Sequence, residues 1–244
     1  MPLLSVAGLS KRFGALRAVN DVSFAVEEGE ILGLIGPNGS GKSTTFNCIA
    51  GLYVPSSGSI RFAGAEIAGL PANRVCHEGV GRTFQIPRPF RNLTLIENVA
   101  LSAYFGQDKG ATRENCWRAA EEALALVGLP TDAHTTTDGL GAAALKKLEL
   151  ARALATQPRL LLADESLNGL DHGEMEQAAD MLQRIRREKN ITIVWVEHIM
   201  GVLMRVVDRV VVLDHGEVIF TGAPKEAQAN ARVVEVYLGA EAVT

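Results

Sequence analysis

Residues Gly36-Pro37-Asn38-Gly39-Ser40-Gly41-Lys42-Ser43-Thr44 constrain this chain more than any other stretch. They fit G-x-x-x-x-G-K-[ST], the phosphate-binding pattern known as Walker A. Ile31 to Ile35 upstream is a short apolar run that reads as a buried parallel strand. Ser43 to Ala50 downstream can begin a helix. Strand, glycine loop and helix together trap anions: glycines let the backbone wrap closely, N–H groups point inward, and the helix dipole adds partial positive charge. Lys42 is placed to reach the β- and γ-phosphates, and the Ser43 hydroxyl to ligate Mg²⁺. A glycine-rich turn with no ligand needs neither the strand before it nor the helix after it.

Bulk properties narrow the class. At 244 residues and 47% hydrophobic content, the chain can form one large domain or a core with an inserted lobe. A net charge of -4 disfavours broad nucleic-acid binding. Cys48, Cys76 and Cys116 form no CxxC pair and suggest a reducing compartment. The opening MPLLSVAGLSKRFG lacks a basic start followed by a long apolar core, so no signal peptide is expected. Apolar runs such as Val206 to Leu213 are interrupted by charge and fall short of the roughly 20 residues that span a bilayer. Work at a membrane would therefore go through a partner.

In chain order, Leu3 to Ala7 and Val22 to Val26 read as strands, with Lys11 to Gly14 as a turn between them. Ser59 to Phe62 is a short strand, and Pro71 to His77 one or two helical turns. Val80 to Ile86 reads as a strand that ends at Gln85, where a polar side chain could reach a ligand, before Pro87 and Pro89 break the chain. Leu95 to Ala103 and Arg113 to Val127 have helical spacing and suggest a helical lobe inserted into an α/β core. Leu145 to Thr156 is a strong helix. Leu160 to Ala163 is a buried strand that delivers Asp164 and Glu165, a Walker B pattern. Asp164 would hold Mg²⁺ through water, and Glu165 would polarise the attacking water. Gly173 to Lys189 is a charged helix. Ile191 to Val196 is a strand that delivers Glu197 and His198, which places His198 within reach of a γ-phosphate. Arg209 to Leu213 and Glu217 to Thr221 form a hairpin around Asp214-His215-Gly216. Pro224 to Ala229 and Val233 to Leu238 are short closing helices.

The motifs and their order resemble an ATP-binding subunit of an ABC transporter. They are Walker A, Gln85 after Arg82-Thr83-Phe84, Walker B, Asn168-Gly169-Leu170-Asp171, and Glu197-His198. The resemblance covers nearly the whole chain. It implies an α/β fold: a P-loop NTPase core with a mixed, largely parallel sheet and an inserted helical subdomain. The core would comprise residues 1–85 and 155–225, the helical subdomain 86–154 and a C-terminal extension 226–244. It implies ATP and Mg²⁺ as cofactors. Gly36 to Thr44 with Asp164 would bind ATP, Phe13 would stack on adenine, and Ser43, Gln85 and Asp164 would surround the metal. Glu165, His198 and Gln85 would be catalytic, and Asp171 would sit at a dimer contact. Within the family, Gly81 to Gln85, Leu93 to Val99 and Ala229 to Gly239 look like subunits of branched-chain amino-acid importers, with urea and amide importers as relatives. Implied partners are membrane permease subunits, a second ATPase and, indirectly, a solute-binding protein.

One motif departs from the family pattern. Where the family has L-S-G-G-Q, this chain has Leu140-Gly141-Ala142-Ala143-Ala144. In the family dimer this loop reaches across to the other subunit's γ-phosphate. Gly141 lacks the hydroxyl, Ala142 and Ala143 add methyl groups where backbone must approach phosphate, and Ala144 lacks the amide. Losing one charge-assisted hydrogen bond costs roughly 1.5–3 kcal/mol, about 10- to 100-fold in affinity or rate. The expectation is a competent Walker half and a weak loop, best used in a heterodimer. A regulatory subunit that binds ATP and scarcely hydrolyses it is the alternative. DNA-repair or translation proteins of this class carry coiled coils or two ATPase domains, for which this chain has no room.

Overall fold

The computed structural model describes residues 1–106, 111–164, 169–197 and 200–241. By contact the chain divides into two compact units, Met1–Val75 with residues from Thr192 onward, and Cys76–Ile191. The boundaries expected from sequence were drawn elsewhere, at 85/86 and 154/155.

In the first unit, β1 (Leu4–Phe13) pairs antiparallel with β2 (Leu16–Val26) and with β4 (Ser57–Phe62), and β5 (Ala65–Glu66) extends the edge in the order β2-β1-β4-β5. The register of β1 shifts between Val6 and Leu9, so Leu4, Val6 and Leu9 all point into the core although their spacing is not a strict alternation. Lys11 to Phe13, expected as a turn, is strand. Phe13 pairs with Leu16, and the reversal takes only Gly14-Ala15, which Gly14 permits at φ +59°.

The second sheet of this unit runs β10 (Glu217–Gly222), β9 (Arg209–Asp214), β3 (Ile31–Ile35), β8 (Thr192–Val196). β3 is parallel to both β8 and β9. All five residues of β3 and of β8 are buried, as a strand covered on both faces requires. Each Ile or Leu so placed contributes roughly 1.5–3 kcal/mol of transfer free energy. The start of β3 is pinned: Ile31 N–H donates to Asp208 Oδ2 at 2.8 Å, and Arg209 Nε donates to Glu30 Oε1 at 2.8 Å. α1 (Lys42–Ile49) follows β3. α7 (Met200–Val206), α8 (Pro224–Ala229) and α9 (Ala231–Glu241) complete the unit, and α2 (Ala72–His77) crosses into the next.

The second unit pairs β6 (Val80–Arg82) parallel with β7 (Leu160–Asp164) and surrounds them with α3 (Leu95–Gly106), α4 (Arg113–Val127), α5 (Ala142–Leu154) and α6 (His172–Lys189). The helix ends follow capping chemistry. Thr94 and Glu97 bond reciprocally before α3, Thr112 caps α4, and Asp171 with Glu174 forms a capping box on α6. The fully buried Asn98 ties down the chain before α3. Its Oδ1 accepts from Phe90 N–H at 2.8 Å, and its Nδ2 donates to the carbonyls of Phe90, Leu93 and Thr94.

Two expectations need correction here. β6 stops at Arg82, three residues before Gln85. Thr83 N–H still bonds Leu162 O at 3.0 Å, but Asp164 N–H turns to the Thr83 hydroxyl at 3.1 Å, so the ladder ends. Pro87 and Pro89 have no N–H with which to resume it. And α5 begins at Ala142, not Leu145: Ala142, Ala143 and Ala144 are its first turn, with Gly141 as N-cap at φ −71°, ψ 172°. Alanine has the highest helix propensity, so three alanines extend the helix where a glycine pair would leave a loop.

Candidate functional site

The glycine loop leaves the end of β3 and closes on α1. Two of its glycines are dictated by sterics. Gly36 has φ +150°, and a Cβ there would lie 2.1 Å from Leu213 O. Gly41 has φ +102°, and its Cβ would lie 2.7 Å from Ala18 O. The loop is braced from behind by the β9–β10 turn: Gly216 N–H donates to Ser40 O at 3.0 Å, and Asn20 N–H donates to Gly216 O at 2.8 Å. Pro37, Asn38 and Gly39 form its crest, with Gly39 at φ +81°. Lys42 is buried, and its Nζ donates to Gly36 O at 2.7 Å and Pro37 O at 2.9 Å. The ammonium thus lies over the loop's own carbonyls, on the side where a phosphate would replace them as acceptor. The Ser40 hydroxyl is buried with no hydrogen-bond partner. A buried hydroxyl without a partner costs free energy of about 1–3 kcal/mol, which a phosphate oxygen would recover. Ser43 is exposed and Thr44 half-buried on the first turn of α1. This arrangement fits a nucleotide's phosphates.

Phe13 closes the end of β1 and is 42% exposed, enough to offer ring surface. It meets Tyr53 edge-on with centroids 5.2 Å apart. Lys11 Nζ lies 4.9 Å from the Phe13 centroid and donates to Val54 O at 2.9 Å. Sequence reasoning found Phe13 and missed Lys11 and Tyr53. Lys11 could have been found, since i and i+2 on one strand share a face. Tyr53 could not, because it follows α1.

In the second unit, Asp164 ends β7 and is buried. Its Oδ2 accepts from Arg82 Nη2 at 2.7 Å, with both side chains about one-tenth exposed or less. Its N–H is held by Thr83 Oγ1. Neither Arg82 nor Thr83 was expected to touch it, although parallel strands ending together make such neighbours predictable. Gln85 is exposed in the irregular stretch after β6. That stretch is tied to α5. Phe84 N–H bonds the Glu149 carboxylate, Glu149 pairs with Arg152 at 3.0 Å, and Arg152 Nη1 donates to Arg88 O at 3.0 Å. Burial pushes the Glu149 carboxyl above its ordinary range, against the pull of Arg152. Gly141 and Ala142 are exposed, and Ala143 and Ala144 half-buried, at the start of α5. The N–H groups of Ala142, Ala143 and Ala144 belong to the first turn, which has no intrahelical acceptors to offer them, and no side chain caps it. Asp171 is the N-cap of α6, accepting from Glu174 N–H at 2.8 Å. Glu197 is fully buried at the end of β8. The expected roles of Glu165, Asn168 and His198 fall outside the described residues.

The metal donors expected from sequence are a hydroxyl at Ser43 in the first unit, and a carboxylate at Asp164 and an amide at Gln85 in the second. Hard oxygen donors of this kind suit Mg²⁺, which keeps waters and phosphate oxygens as its remaining ligands.

The profile of the ABC transporter family matches residues 19–168, more than half of the chain. This chain belongs to the ABC transporter family. A second profile, the branched-chain amino acid ATP-binding cassette transporter, matches residues 217–243. The high-affinity branched-chain amino acid transport ATP-binding protein BraF of Pseudomonas aeruginosa is 36% identical over 98% of both chains. Its counterpart LivG of Salmonella typhimurium is 37% identical over the same shares. Among solved structures, the ADP conformation of MJ1267, an ATP-binding cassette of an ABC transporter, aligns with TM-score 0.87 and 28% identity, covering 98% of this chain and 99% of the other. A dimeric post-hydrolysis cassette, MJ0796 bound to ADP and Pi, aligns with TM-score 0.80 and 27% identity over 91% and 98%. The fold is accordingly that of an ABC ATPase cassette, and the chain is an ATP-hydrolysing subunit whose general activity is coupled to transport. The protein therefore binds nucleotide. Among the described residues no helix is long and apolar enough to cross a membrane.

Proposed function

We propose that this protein is the ATPase subunit of an importer for branched-chain or closely related amino acids. It would work on the cytoplasmic face of the membrane, bound to permease subunits that receive solute from a binding protein. The substrate class rests on the two curated relatives and on the C-terminal profile match. The observation that carries the nucleotide half is the loop itself: glycines that no other residue can replace, a buried lysine turned onto them and a hydroxyl awaiting an acceptor. In this reading residues 1–85 and 155–225 carry the nucleotide and 86–154 present the signature turn.

Lys42 and the loop N–H groups hold the β- and γ-phosphates, and Phe13 supplies a ring for the adenine. Ser43, Asp164 and Gln85 would hold Mg²⁺, which would offset charge on the phosphates when bound. From the family resemblance, Glu165 would take the proton of the attacking water and His198 would contact the γ-phosphate. The expected outcome for Glu165→Gln is unchanged ATP affinity with hydrolysis nearly abolished, measured as phosphate release. Full turnover in that variant removes Glu165 from the mechanism.

The partner enters through the signature turn. A homodimer would close two Walker sites with two alanine turns. A heterodimer with a subunit bearing Ser-Gly-Gly-Gln would give one well-closed site, built from this chain's Walker residues, and Asp171 would lie at that contact. We favour the heterodimer. The helical start of α5 also supports a second reading, a subunit that binds ATP and hydrolyses it slowly. Phosphate release, alone and with a candidate partner ATPase, separates the two.

A further inference from the structure

The carboxylate assigned to the metal is already in use. Arg82 ends β6 and Asp164 ends β7, and the parallel register that pairs Arg82 with Leu162 brings the guanidinium beside the carboxylate two residues on. Arg82 Nη2 donates to Asp164 Oδ2 at 2.7 Å, with the two side chains 10% and 8% exposed. The backbone of Asp164 is fixed by Thr83 Oγ1, so the carboxylate meets its partner from a defined position. The guanidinium carbon also lies 5.1 Å from the Phe84 ring centroid, a second contact that restrains the cation. A buried charge pair of this geometry is short, charge-assisted and poorly screened.

A divalent cation recruited by Asp164 places two positive charges beside this guanidinium. Both cations draw on one carboxylate, and they repel each other in a region of low dielectric. From this we infer that Arg82 is a positioning residue that competes with the divalent metal for Asp164 and thereby weakens metal binding. The inference rests on the assignment of Asp164 to the metal in the proposed function. Its consequence is that the carboxylate is aimed by an internal cation, and that Mg²⁺ binds in exchange for the Arg82 contact. The arginine would then give up its bond next to Phe84, at the head of the segment that runs to Arg88 and is tied to α5.

The test is a Mg²⁺ titration of the purified full chain, read by the fluorescence of a methylanthraniloyl-ADP probe, so that no hydrolysis is involved. In Arg82→Gln the Mg²⁺ concentration for half-maximal probe binding falls about tenfold or more, as expected for removing a competing charge-assisted bond. The melting temperature without Mg²⁺ falls, because a buried carboxylate has lost its counter-ion, and added Mg²⁺ alone raises it more than in the wild type. Arg82→Lys keeps the charge but replaces the planar five-donor fork with a single three-donor ammonium. It shifts the midpoint in the same direction by about threefold, and decides the matter if Arg82→Gln does not fold. An unchanged or higher midpoint in these variants, with a clear Mg²⁺ dependence in the wild type, overturns the inference and leaves the metal assignment standing. No Mg²⁺ dependence in the wild type overturns both.

Discussion

Walker A and the signature turn both bear glycine and open a helix, and they differ in what their glycines do. At Walker A, Gly36 and Gly41 sit at positive φ with backbone carbonyls 2.1 and 2.7 Å from where a Cβ would be. At the signature turn, Gly141 sits at φ −71° with nothing within 4 Å of its missing Cβ, and the next three residues are helical alanines. The first loop is held in a conformation that only glycine allows, which is how backbone N–H groups come to surround an anion. The second has relaxed into an ordinary helix start. Its N–H groups survive, but the hydroxyl, the amide and the glycine backbone are gone. In the proposed dimer the two turns would face each other, and the contrast predicts a chain that is strong where it holds nucleotide and weak where it serves a partner.

This contrast can be broken or sharpened by substitution. The largest effect is expected at Gly36→Ala: the backbone penalty is about 1–2 kcal/mol before the overlap with Leu213 O is added, so nucleotide-probe binding should be lost and the melting temperature should drop. Near-normal binding there would mean that the loop tolerates a side chain, and the contrast would fail. Next comes Ala142→Gly with Ala143→Gly, which removes two good helix formers at roughly 1 kcal/mol each or less in a first turn. A lower thermal stability with unaltered probe affinity is the expected pair of readings. Gly141→Ser has room and a compatible backbone, and serine is the better N-cap, so stability should rise by a few tenths of a kcal/mol or stay level. A marked loss would show that the turn is more crowded than its open surroundings imply.

The smallest effect concerns pH. Glu149 has its folded pKa raised by burial, so its contribution to stability is full below the ordinary carboxylate range near 4.5 and is lost as pH rises through the folded value. Glu149→Gln keeps an acceptor for Phe84 N–H and removes this titration. The difference in melting temperature between pH 5 and pH 7 should shrink in the variant. An unchanged difference assigns the pH dependence to other groups.

Much of this was legible in the residues. The β3–loop–α1 unit, β7 with Asp164, the β9–β10 hairpin and the helices of the second unit follow from apolar runs and periodicity. What was missed needed a neighbour that no local pattern supplies. Lys11 to Phe13 read as a turn because of polar residues, yet pairing with β2 keeps them extended. Val80 to Ile86 read as one strand, but its partner β7 is too short to hold it beyond Thr83. Ala142 to Ala144 read as loop by likeness to a glycine-rich motif, while their own helix propensity pointed the other way. Arg82 entered only as part of the motif that leads to Gln85. Its contact with Asp164 appears only when two parallel strands end side by side.

The most direct test restores Ser-Gly-Gly-Gln at Gly141 to Ala144 and measures phosphate release by the purified chain alone. If this turn is what limits the protein on its own, release should rise about 10-fold or more with the affinity for the ADP probe unchanged. Equal release from the wild type and the restored chain, at saturating ATP and Mg²⁺, would contradict it, and would mean that the N–H groups of the alanine turn already suffice.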